Sequence, residues 1–409
     1  MYIKRTMEKE ILQASKFYPV VLVCGQRQVG KSTMLNYIKD SNRKYVSLDD
    51  RNARRLAHDD PDLFFDTYGY PLIIDEFQKE PQILEKIKDI VDKLGYEGKE
   101  NNGLFWLTGS QKFEMMKNVS ESLAGRVAVF ELSGLSYDEL NGFDRGTFNP
   151  DIEHLKQIKF KQENIDTIYE NIFRGGLPKI NTTEIDREKY YSNYISTYLE
   201  RDVRTLEGVG KLNEFYDFLV YMAARTSQEL HYDDISKTIG ISAPTAKKWV
   251  SILERSGIIF ILHPYSSKIT DRLVKTPKVY FMDTGLAAYL CRWPNSITLQ
   301  NGNMDGAFFE TYVISEIIKS YYNAGKKVNN LYYYRDVDQK EIDLLYLSPE
   351  SITPIEIKKG SSPTHADKNF GVLNKFGLEV KLGLIICLSK ELVPYNRDCY
   401  YCPVTLIWY

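Results

Sequence analysis

The sequence predicts a multidomain α/β protein that begins with a parallel β-sheet flanked by helices. Over the first third of the 409-residue chain, short apolar runs alternate with helical stretches, and this alternation is typical of parallel sheets. The runs are PVVLVCG (19–25), KYVSL (44–48), YPLIIDE (70–76), LFWLTGS (104–110) and RVAVFEL (126–132). The length of the chain allows two or three domains, each with its own core.

The composition is that of a folded protein with balanced charge. Apolar residues make up 43% and charged residues 26% of the chain, as in ordinary globular domains. The 53 Lys and Arg residues and the 55 Asp and Glu residues leave a net charge of −2. This balance excludes a polycation, so any contact with nucleic acid must come from a local basic patch.

No segment of the sequence predicts a membrane location. Charges interrupt residues 1–19 throughout, so we expect no signal peptide, and no window approaches the roughly 18–20 apolar residues of a membrane helix. Five cysteines, an odd number, suit a reducing compartment. Cys399 and Cys402 form one CYYC pair without the further ligands that a zinc site of about four requires. We therefore expect a cytoplasmic protein.

Changes of pattern along the chain divide it into four expected domains. They are residues 1–135 with the five apolar runs, 136–211 with charged helices, 212–282 with short helices and an apolar strand, and 283–409 with mixed helix and strand. No long Pro-, Gly- or Ser-rich linker separates them. We therefore expect the domains to pack closely.

A phosphate-binding loop is predicted directly after the first strand. Residues 25–32, GQRQVGKS, fit the pattern G-x-x-x-x-G-K-[ST] between a strand and a helix. Glycines let the loop curl so that successive N–H groups face phosphate oxygens, and the helix adds its positive N-terminus. We expect Lys31 to reach the β- and γ-phosphates of ATP and Ser32 to ligate Mg²⁺. The expected nucleotide contacts are Gly25, Gln26, Arg27, Gln28, Val29, Gly30, Lys31, Ser32 and Thr33.

The run YPLIIDE supplies the acidic partner of this loop. Asp75 ends a buried strand, where it can hold Mg²⁺ through water. Glu76 follows, and a second carboxylate there can activate the attacking water, which favours ATP hydrolysis over transfer to a small-molecule hydroxyl. A solvated acidic strand end is the alternative. In the run LFWLTGS, Ser110, or with less weight Thr108, is the candidate sensor of the γ-phosphate.

With these residues the chain resembles the prokaryotic AAA-type ATPases that carry a C-terminal domain of unknown function with a nuclease-like core. The resemblance covers nearly the whole chain and rests on GQRQVGKST, YPLIIDEF, LTGSQ, SLAGRV, RGGLP, FMDTGL and PIEIKKG. It implies an ATPase core over residues 1–135 and a helical lid over 136–211. In this family an arginine before the fifth strand often reaches the γ-phosphate of a neighbouring subunit, and Arg126 stands at that place. Arg174, beside GGLP, is a weaker candidate for a nucleotide contact.

If Arg126 has this role, the active sites lie between subunits and the protein is a homo-oligomer, such as a ring of six. A guanidinium suits the role because it is always charged and forks onto phosphate oxygens. A surface arginine or a local ion pair is the alternative.

Residues 212–282 are expected to form a winged-helix domain that binds DNA. In the helix APTAKKWVSILERSG, an apolar stripe falls on one side, and Lys247, Lys248 and Arg255 fall on the other. The turn ISAP before it suits a helix-turn-helix. Residues 237–278 contain eight Lys or Arg and two Asp or Glu, a local excess typical of a phosphate-binding surface. A contact surface for a protein partner is the alternative.

The last domain is expected to have a restriction-endonuclease-like α/β fold. Glu310 lies in the apolar stripe of a helix, Asp343 lies in the strand EIDLLYL, and Glu356 and Lys358 share one face of the strand PIEIKK. The resemblance implies that Asp343 and Glu356 bind a second Mg²⁺, with Glu310 completing the metal's shell and Lys358 steadying the attacking water. The sequence lacks a proline before Asp343 and has Ile342 there, so an inert binding module remains open.

The sequence as a whole predicts a Mg²⁺-dependent AAA-type ATPase that oligomerises and binds or remodels DNA. One alternative is a nucleotide-gated switch in signalling or defence that binds a protein partner. The other is an ATP-regulated DNA nuclease.

Overall fold

The computed structural model describes residues 2–109, 119, 121–199, 203, 212–268, 272 and 275–407. These residues form two compact units. The first comprises Met1–Leu135, Arg255–Gly257 and Tyr322–Lys326, and the second comprises Ser136–Glu254, Ile258–Tyr321 and Lys327–Tyr409. Within the described ranges, every helix is too short or too polar to span a bilayer.

The first unit contains a five-stranded parallel sheet in its described part, as the apolar runs predict. Its strands are β1 (Val20–Cys24), β2 (Lys44–Ser47), β3 (Leu72–Asp75), β4 (Phe105–Thr108) and β5 (Val127–Glu131), in the order β2-β3-β4-β1-β5. The strands β1, β3 and β4 are buried along their whole length, because both faces of a parallel sheet are covered by helices.

The helices of the first unit connect these strands. They are α1 (Glu8–Ala14), α2 (Lys31–Ile38), α3 (Arg51–Asp59), α4 (Pro61–Tyr68) and α5 (Ile83–Tyr96), with a 3₁₀ turn at Phe77–Lys79. Apolar side chains of α3, α4 and α5 pack with those of the strands in one buried cluster. Because all the strand pairs are parallel, the carboxyl ends of the strands lie at one edge of the sheet.

The register of the sheet brings three strand ends together. Thr108 of β4 pairs with Val23 of β1 on one side and with Asp75 of β3 on the other. The loops that follow β1 and β3 therefore leave the same edge, with the end of β4 between them.

The second unit begins with helices. They are α6 (Tyr137–Asn141), α7 (Ile152–Leu155), α8 (Ile165–Arg174), α9 (Pro178–Thr182), α10 (Arg187–Tyr198), α11 (Leu212–Ala224), α12 (Tyr232–Ile239) and α13 (Ala243–Arg255). The last residue of α13, Arg255, is counted with the first unit. The strands β6 (Ile259–Leu262) and β7 (Lys278–Phe281) then form an antiparallel pair. The sequence predicts short helices followed by an apolar strand in residues 212–282, and the structure adds β7 as the antiparallel partner of that strand.

The chain ends in a mixed sheet preceded by three helices, α14 (Thr284–Leu290), α15 (Ser296–Gln300) and α16 (Asp305–Asn323). The strands are β8 (Leu331–Arg335), β9 (Glu341–Leu347), β10 (Ser351–Ile357), β11 (Glu379–Val380), β12 (Gly383–Cys387), β13 (Val393–Pro394) and β14 (Cys399–Pro403). Two 3₁₀ turns lie at Phe370–Phe376 and Val404–Leu406. In the described part the path is β13-β14-β12-β10-β9-β8, and β11 pairs with β10. The two central strands β10 and β12 are parallel.

Candidate functional site

The loop between β1 and α2 has the backbone geometry of an anion cradle. Gly25 has φ 137° and Gly30 has φ 93°, values that side chains rarely allow. A Cβ at Gly25 would lie 2.1 Å from the carbonyl oxygen of Leu132, so this position admits only glycine. Gly30 directly precedes α2, which turns the first N–H groups of that helix toward the loop.

Lys31 folds back over this loop. Its buried ammonium donates hydrogen bonds to the carbonyl oxygens of Gly25, at 3.0 Å, and Gln26, at 2.8 Å. Burial lowers the pKa of Lys31, and the nearby Glu76 carboxylate opposes that shift. The ammonium therefore lies inside the loop that the sequence predicts to bind phosphates.

Ser32 and Asp75, the two predicted Mg²⁺ ligands, are in contact. The Ser32 hydroxyl donates to Asp75 Oδ1 at 2.7 Å, and the Tyr45 hydroxyl donates to Asp75 Oδ2 at 2.8 Å. Burial and the bond to Asp75 raise the pKa of Tyr45. A hydroxyl and a carboxylate are the oxygen donors that Mg²⁺ prefers, so these residues fit the ion. The sequence analysis missed Tyr45. Its strand, KYVSL, lies beside β3 in the sheet, and only the sheet order shows that the two strands are neighbours.

Glu76 lies one residue beyond β3 in a left-handed conformation, with φ 54°. Gln78 donates its side-chain amide to the Glu76 carboxylate. Burial raises the pKa of Glu76, while the bond from Gln78 and the Lys31 charge lower it. A carboxylate with a raised pKa is a stronger proton acceptor, which suits the predicted role in activating water. The sequence analysis also missed Gln78.

The end of β4 holds the predicted sensor position. Ser110, the first choice from the sequence, lies outside the described residues. Thr108 is fully buried, and its hydroxyl has no hydrogen-bond partner among the described residues. It sits in register between Val23 and Asp75, and a buried polar group without a partner is costly.

Arg126 lies away from this loop in its own chain. It directly precedes β5, and its carbonyl accepts a hydrogen bond from Val20 N at the start of β1, which is the opposite edge of the sheet from the loop. Its guanidinium forks onto Asp92 of α5 at 2.6 and 2.9 Å. The structure therefore does not bring Arg126 together with Lys31, and its predicted contact requires a second subunit.

The motifs RGGLP and FMDTGL meet in the second unit. Asp283 accepts hydrogen bonds from Gly176 N and Tyr191 Oη, at 2.7 and 2.9 Å, and caps α14. A Cβ on Gly175 would lie 2.5 Å from Asp283 Oδ1, and one on Gly285 would lie 2.3 Å from the Tyr191 hydroxyl. The glycines thus allow a close approach between α8, α10 and α14. Arg174, at the end of α8, lies 4.0 Å from Glu170 and is half exposed.

The helix α13 has the two faces that the periodicity predicts. Ala246, Trp249, Val250 and Leu253 are buried, and Lys247, Lys248 and Arg255 are exposed. The wider basic stretch is different, because Lys278 is buried, with only 4% of its side chain exposed. The local positive excess therefore overstates the cations available at the surface.

The four predicted nuclease-like residues converge between α16, β9 and β10. Asp343 Oδ2 accepts hydrogen bonds from Ile357 N and from the Lys358 ammonium, both at 2.8 Å, and the same ammonium lies 2.5 Å from Glu356 Oε2. Glu310 Oε1 accepts from the Tyr280 hydroxyl at 2.7 Å and from the Lys278 ammonium at 3.3 Å. The helix and the two strands therefore form one buried, charged cluster.

The charges of this cluster shift one another's pKa values. Burial and the Asp343 charge raise the pKa of Glu356 to about 9, and burial raises the pKa of Glu310 to about 7. Burial also acts to raise the pKa of Asp343, but Lys358 and Lys278 outweigh it and hold that pKa below its ordinary value. Among the residues that the structure describes, no three His, Cys, Asp or Glu side chains are grouped so that they could hold a metal ion. The sequence analysis missed Lys278 and Tyr280 as members of the cluster.

The sheet order, the glycine loop with Lys31, and the contact between Ser32 and Asp75 define the fold of the first unit, which is that of an AAA-type P-loop ATPase domain. The C-terminal mixed sheet is separate from it. Residues 18–141 match the AAA domain family, and residues 305–407 match a domain of unknown function, DUF4143. Residues 165–297 match a further domain of unknown function, DUF8612.

Individual proteins similar to this chain come from bacteria and archaea. The uncharacterized proteins Rv2008c of Mycobacterium tuberculosis and Mb2031c of Mycobacterium bovis are each 27% identical over 351 residues, which is 85% of this chain and 71% of theirs. Among solved structures, the Walker-type ATPase PABY2304 of Pyrococcus abyssi matches with a TM-score of 0.44 and 14% identity, over 71% of this chain and 96% of that chain.

Proposed function

We propose that this protein is a Mg²⁺-dependent ATPase that forms a homo-oligomer and binds or remodels DNA. The observation that supports hydrolysis most directly is the contact of 2.7 Å between Ser32 Oγ and Asp75 Oδ1. It joins the loop of Gly25 and Gly30 to the acidic end of β3, and this supports a metal bound beside the phosphates.

The side chains of the loop and of β3 have complementary tasks in this reaction. Lys31 exchanges its two bonds to loop carbonyls for bonds to the β- and γ-phosphates of ATP, which offer negative charge to its ammonium. Mg²⁺ bound by Ser32 and Asp75 would neutralise charge that develops on the phosphates. Glu76 accepts a proton from the water molecule whose oxygen attacks the γ-phosphorus. The bond between the γ-phosphorus and the β–γ bridging oxygen breaks, and ADP leaves with its electron pair.

The first test of hydrolysis replaces Lys31. We expect Lys31→Ala to lower ATP turnover at least about 100-fold, because two charge-assisted hydrogen bonds are each worth about 1.5–3 kcal/mol. The matched control is Lys16→Ala, which removes an exposed lysine from the same unit. Turnover of Lys31→Ala within threefold of the wild type would refute the assignment.

The proposed DNA contact rests on the exposed face of α13. Lys247, Lys248 and Arg255 are exposed on a helix whose other face is buried, and this is the form of a recognition helix that contacts phosphates. Replacing all three residues with alanine is expected to weaken binding to duplex DNA. It should also lower the slope of log affinity against log salt by about 2–3, because each phosphate contact contributes about 0.9.

A matched control removes the same charge from another exposed segment of the second unit. Lys156, Lys159 and Lys161 are all exposed, so their triple alanine variant should keep both the affinity and the salt slope. Equal affinity of the α13 variant and the wild type would instead favour a nucleotide-gated switch that binds a protein partner through this face.

A further inference from the structure

The carboxylate cluster of the C-terminal sheet contains a lysine from outside α16 and outside the strands of that sheet. Lys278 is the first residue of β7, and its ammonium lies 3.3 Å from Glu310 Oε1 and 2.6 Å from Glu341 Oε1. Only 4% of the side chain is exposed. A buried ammonium is stable only where carboxylates compensate its charge, so Lys278 and this cluster depend on each other.

The backbone fixes Lys278 in this position. Lys278 pairs with Leu262 across the β6–β7 hairpin and forms an isolated bridge with Glu229. Its ammonium lies 5.5 Å from the centre of the Tyr333 ring, within the range of a cation–π contact. The ammonium is therefore held by a strand on one side and an aromatic ring on another, and it is not a flexible surface lysine.

The charges of the cluster show what the ammonium does. Glu341, the carboxylate nearest to Lys278, also pairs with Arg335 at 3.2 Å, and that ion pair is counted separately. With every group in its charged form, Glu310, Asp343 and Glu356 contribute three negative charges and Lys358 contributes one positive charge, which leaves −2. That remainder equals the charge of one divalent cation. Lys278 reduces it to −1 and supplies a positive group bonded to Glu310, so less charge remains to attract a metal and one carboxylate oxygen is already engaged.

The carboxylates are also turned toward these lysines and their neighbours. The Glu310 oxygen bonds Lys278 and Tyr280, and Asp343 bonds Lys358. Within the described part of the chain, the acidic side chains are not grouped around a common point at which a metal could bind three of them.

We propose that Lys278 is a built-in counter-ion that takes the place of a divalent cation among Glu310, Asp343 and Glu356. The C-terminal domain consequently does not bind a catalytic metal and does not cleave phosphodiesters. This inference is independent of ATP hydrolysis, because it concerns only residues of the second unit.

The test is a calorimetric titration of the nucleotide-free, full-length protein with Mn²⁺. We expect Lys278→Met to gain one Mn²⁺ site per chain, with an affinity at least about tenfold higher than that of the wild-type carboxylate cluster. The double variant Lys278→Met, Asp343→Asn should lack this site. Lys278→Arg, which keeps the positive charge, should gain no such site. Mn²⁺ that binds near Ser32 and Asp75 is common to all variants and is subtracted.

Two results would overturn the inference. One is a folded Lys278→Met variant, checked by its thermal unfolding, that gains no site dependent on Asp343. The other is a Mn²⁺ site, or nicking of supercoiled plasmid, that the wild-type protein shows and the Asp343→Asn variant lacks. If Lys278→Met does not fold, the comparison of wild type with Asp343→Asn still decides, and equal Mn²⁺ binding with intact plasmid in both supports the inference.

Discussion

Replacing Thr108 with valine is expected to change stability and hydrolysis in opposite directions. The Thr108 hydroxyl is fully buried and has no hydrogen-bond partner among the described residues, and such a group costs about 1–3 kcal/mol. Valine has nearly the same shape and removes that cost. The nucleotide-free Thr108→Val protein should therefore be about 1–2 kcal/mol more stable, which corresponds to a rise in Tm of about 2–8 °C for a domain of this size.

Hydrolysis should become slower in the same variant. Thr108 lies in register with Val23 and Asp75, and the proposed sensor role assigns its hydroxyl a contact with the γ-phosphate or the attacking water. A hydrogen bond to a charged group is worth about 1.5–3 kcal/mol, and its loss lowers turnover about 10- to 150-fold. Scanning calorimetry without nucleotide and a phosphate-release assay measure the two quantities.

A matched substitution shows the opposite sign in stability. Thr226 is also fully buried, but its hydroxyl bonds Thr311 Oγ1 at 2.8 Å and accepts from Phe281 N at 3.2 Å. Thr226→Val should therefore destabilise its unit by about 1–3 kcal/mol. If Thr108→Val is less stable than the wild type and hydrolyses ATP at an unchanged rate, the Thr108 hydroxyl has a structural partner and the sensor role is refuted.

Two further predictions concern the oligomer and the response to pH. Arg126→Ala should lower the rate of ATP hydrolysis about 1,000-fold, whereas Asp92→Asn should not. Mixing Arg126→Ala with Lys31→Ala should restore part of the activity, because an interface between the two variants can contain one intact site. Turnover of Arg126→Ala near the wild-type rate would refute the contact with a second subunit and leave the ion pair with Asp92 as the role of Arg126. Asp138 is buried, and neither of its oxygens has a hydrogen-bond partner among the described residues, although Arg145 Nη1 lies 3.5 Å from Oδ1. Burial raises the pKa of Asp138 to about 8, against the opposing charge of Arg145. The native state therefore retains a proton that the unfolded chain releases near pH 4, and stability falls as pH rises from about 4 to 8. Asp138→Asn should match the wild type in Tm near pH 4 and exceed it by several degrees at pH 8, whereas a constant difference would contradict the titration.

The sequence was most informative where the structural requirement is local. The strands β1 to β5 lie within the five predicted apolar runs, and the loop of Gly25 and Gly30 has the positive φ values that glycine permits. A strand, a tight loop and the start of a helix depend on neighbouring residues, so one stretch of sequence is enough to predict them.

The sequence was misleading where charge was counted along the chain. Lys278 belongs to the basic stretch of residues 237–278, but the structure buries it against Glu310 and Glu341. A charge count cannot show which carboxylate approaches which cation, because these partners lie on separate elements.

The sequence by itself determined the elements and the residue types of the site: a phosphate loop with Lys31 and Ser32, a strand that ends in Asp75, and the acidic residues of the C-terminal sheet. Only the tertiary structure decided which of these groups meet. The sheet order places Thr108 between the loop and Asp75, brings Tyr45 to the same carboxylate, and inserts Lys278 among the C-terminal acids. The physical reason is that secondary structure follows local conformational preferences, whereas the partner of a buried polar group is set by the packing of segments far apart in the chain.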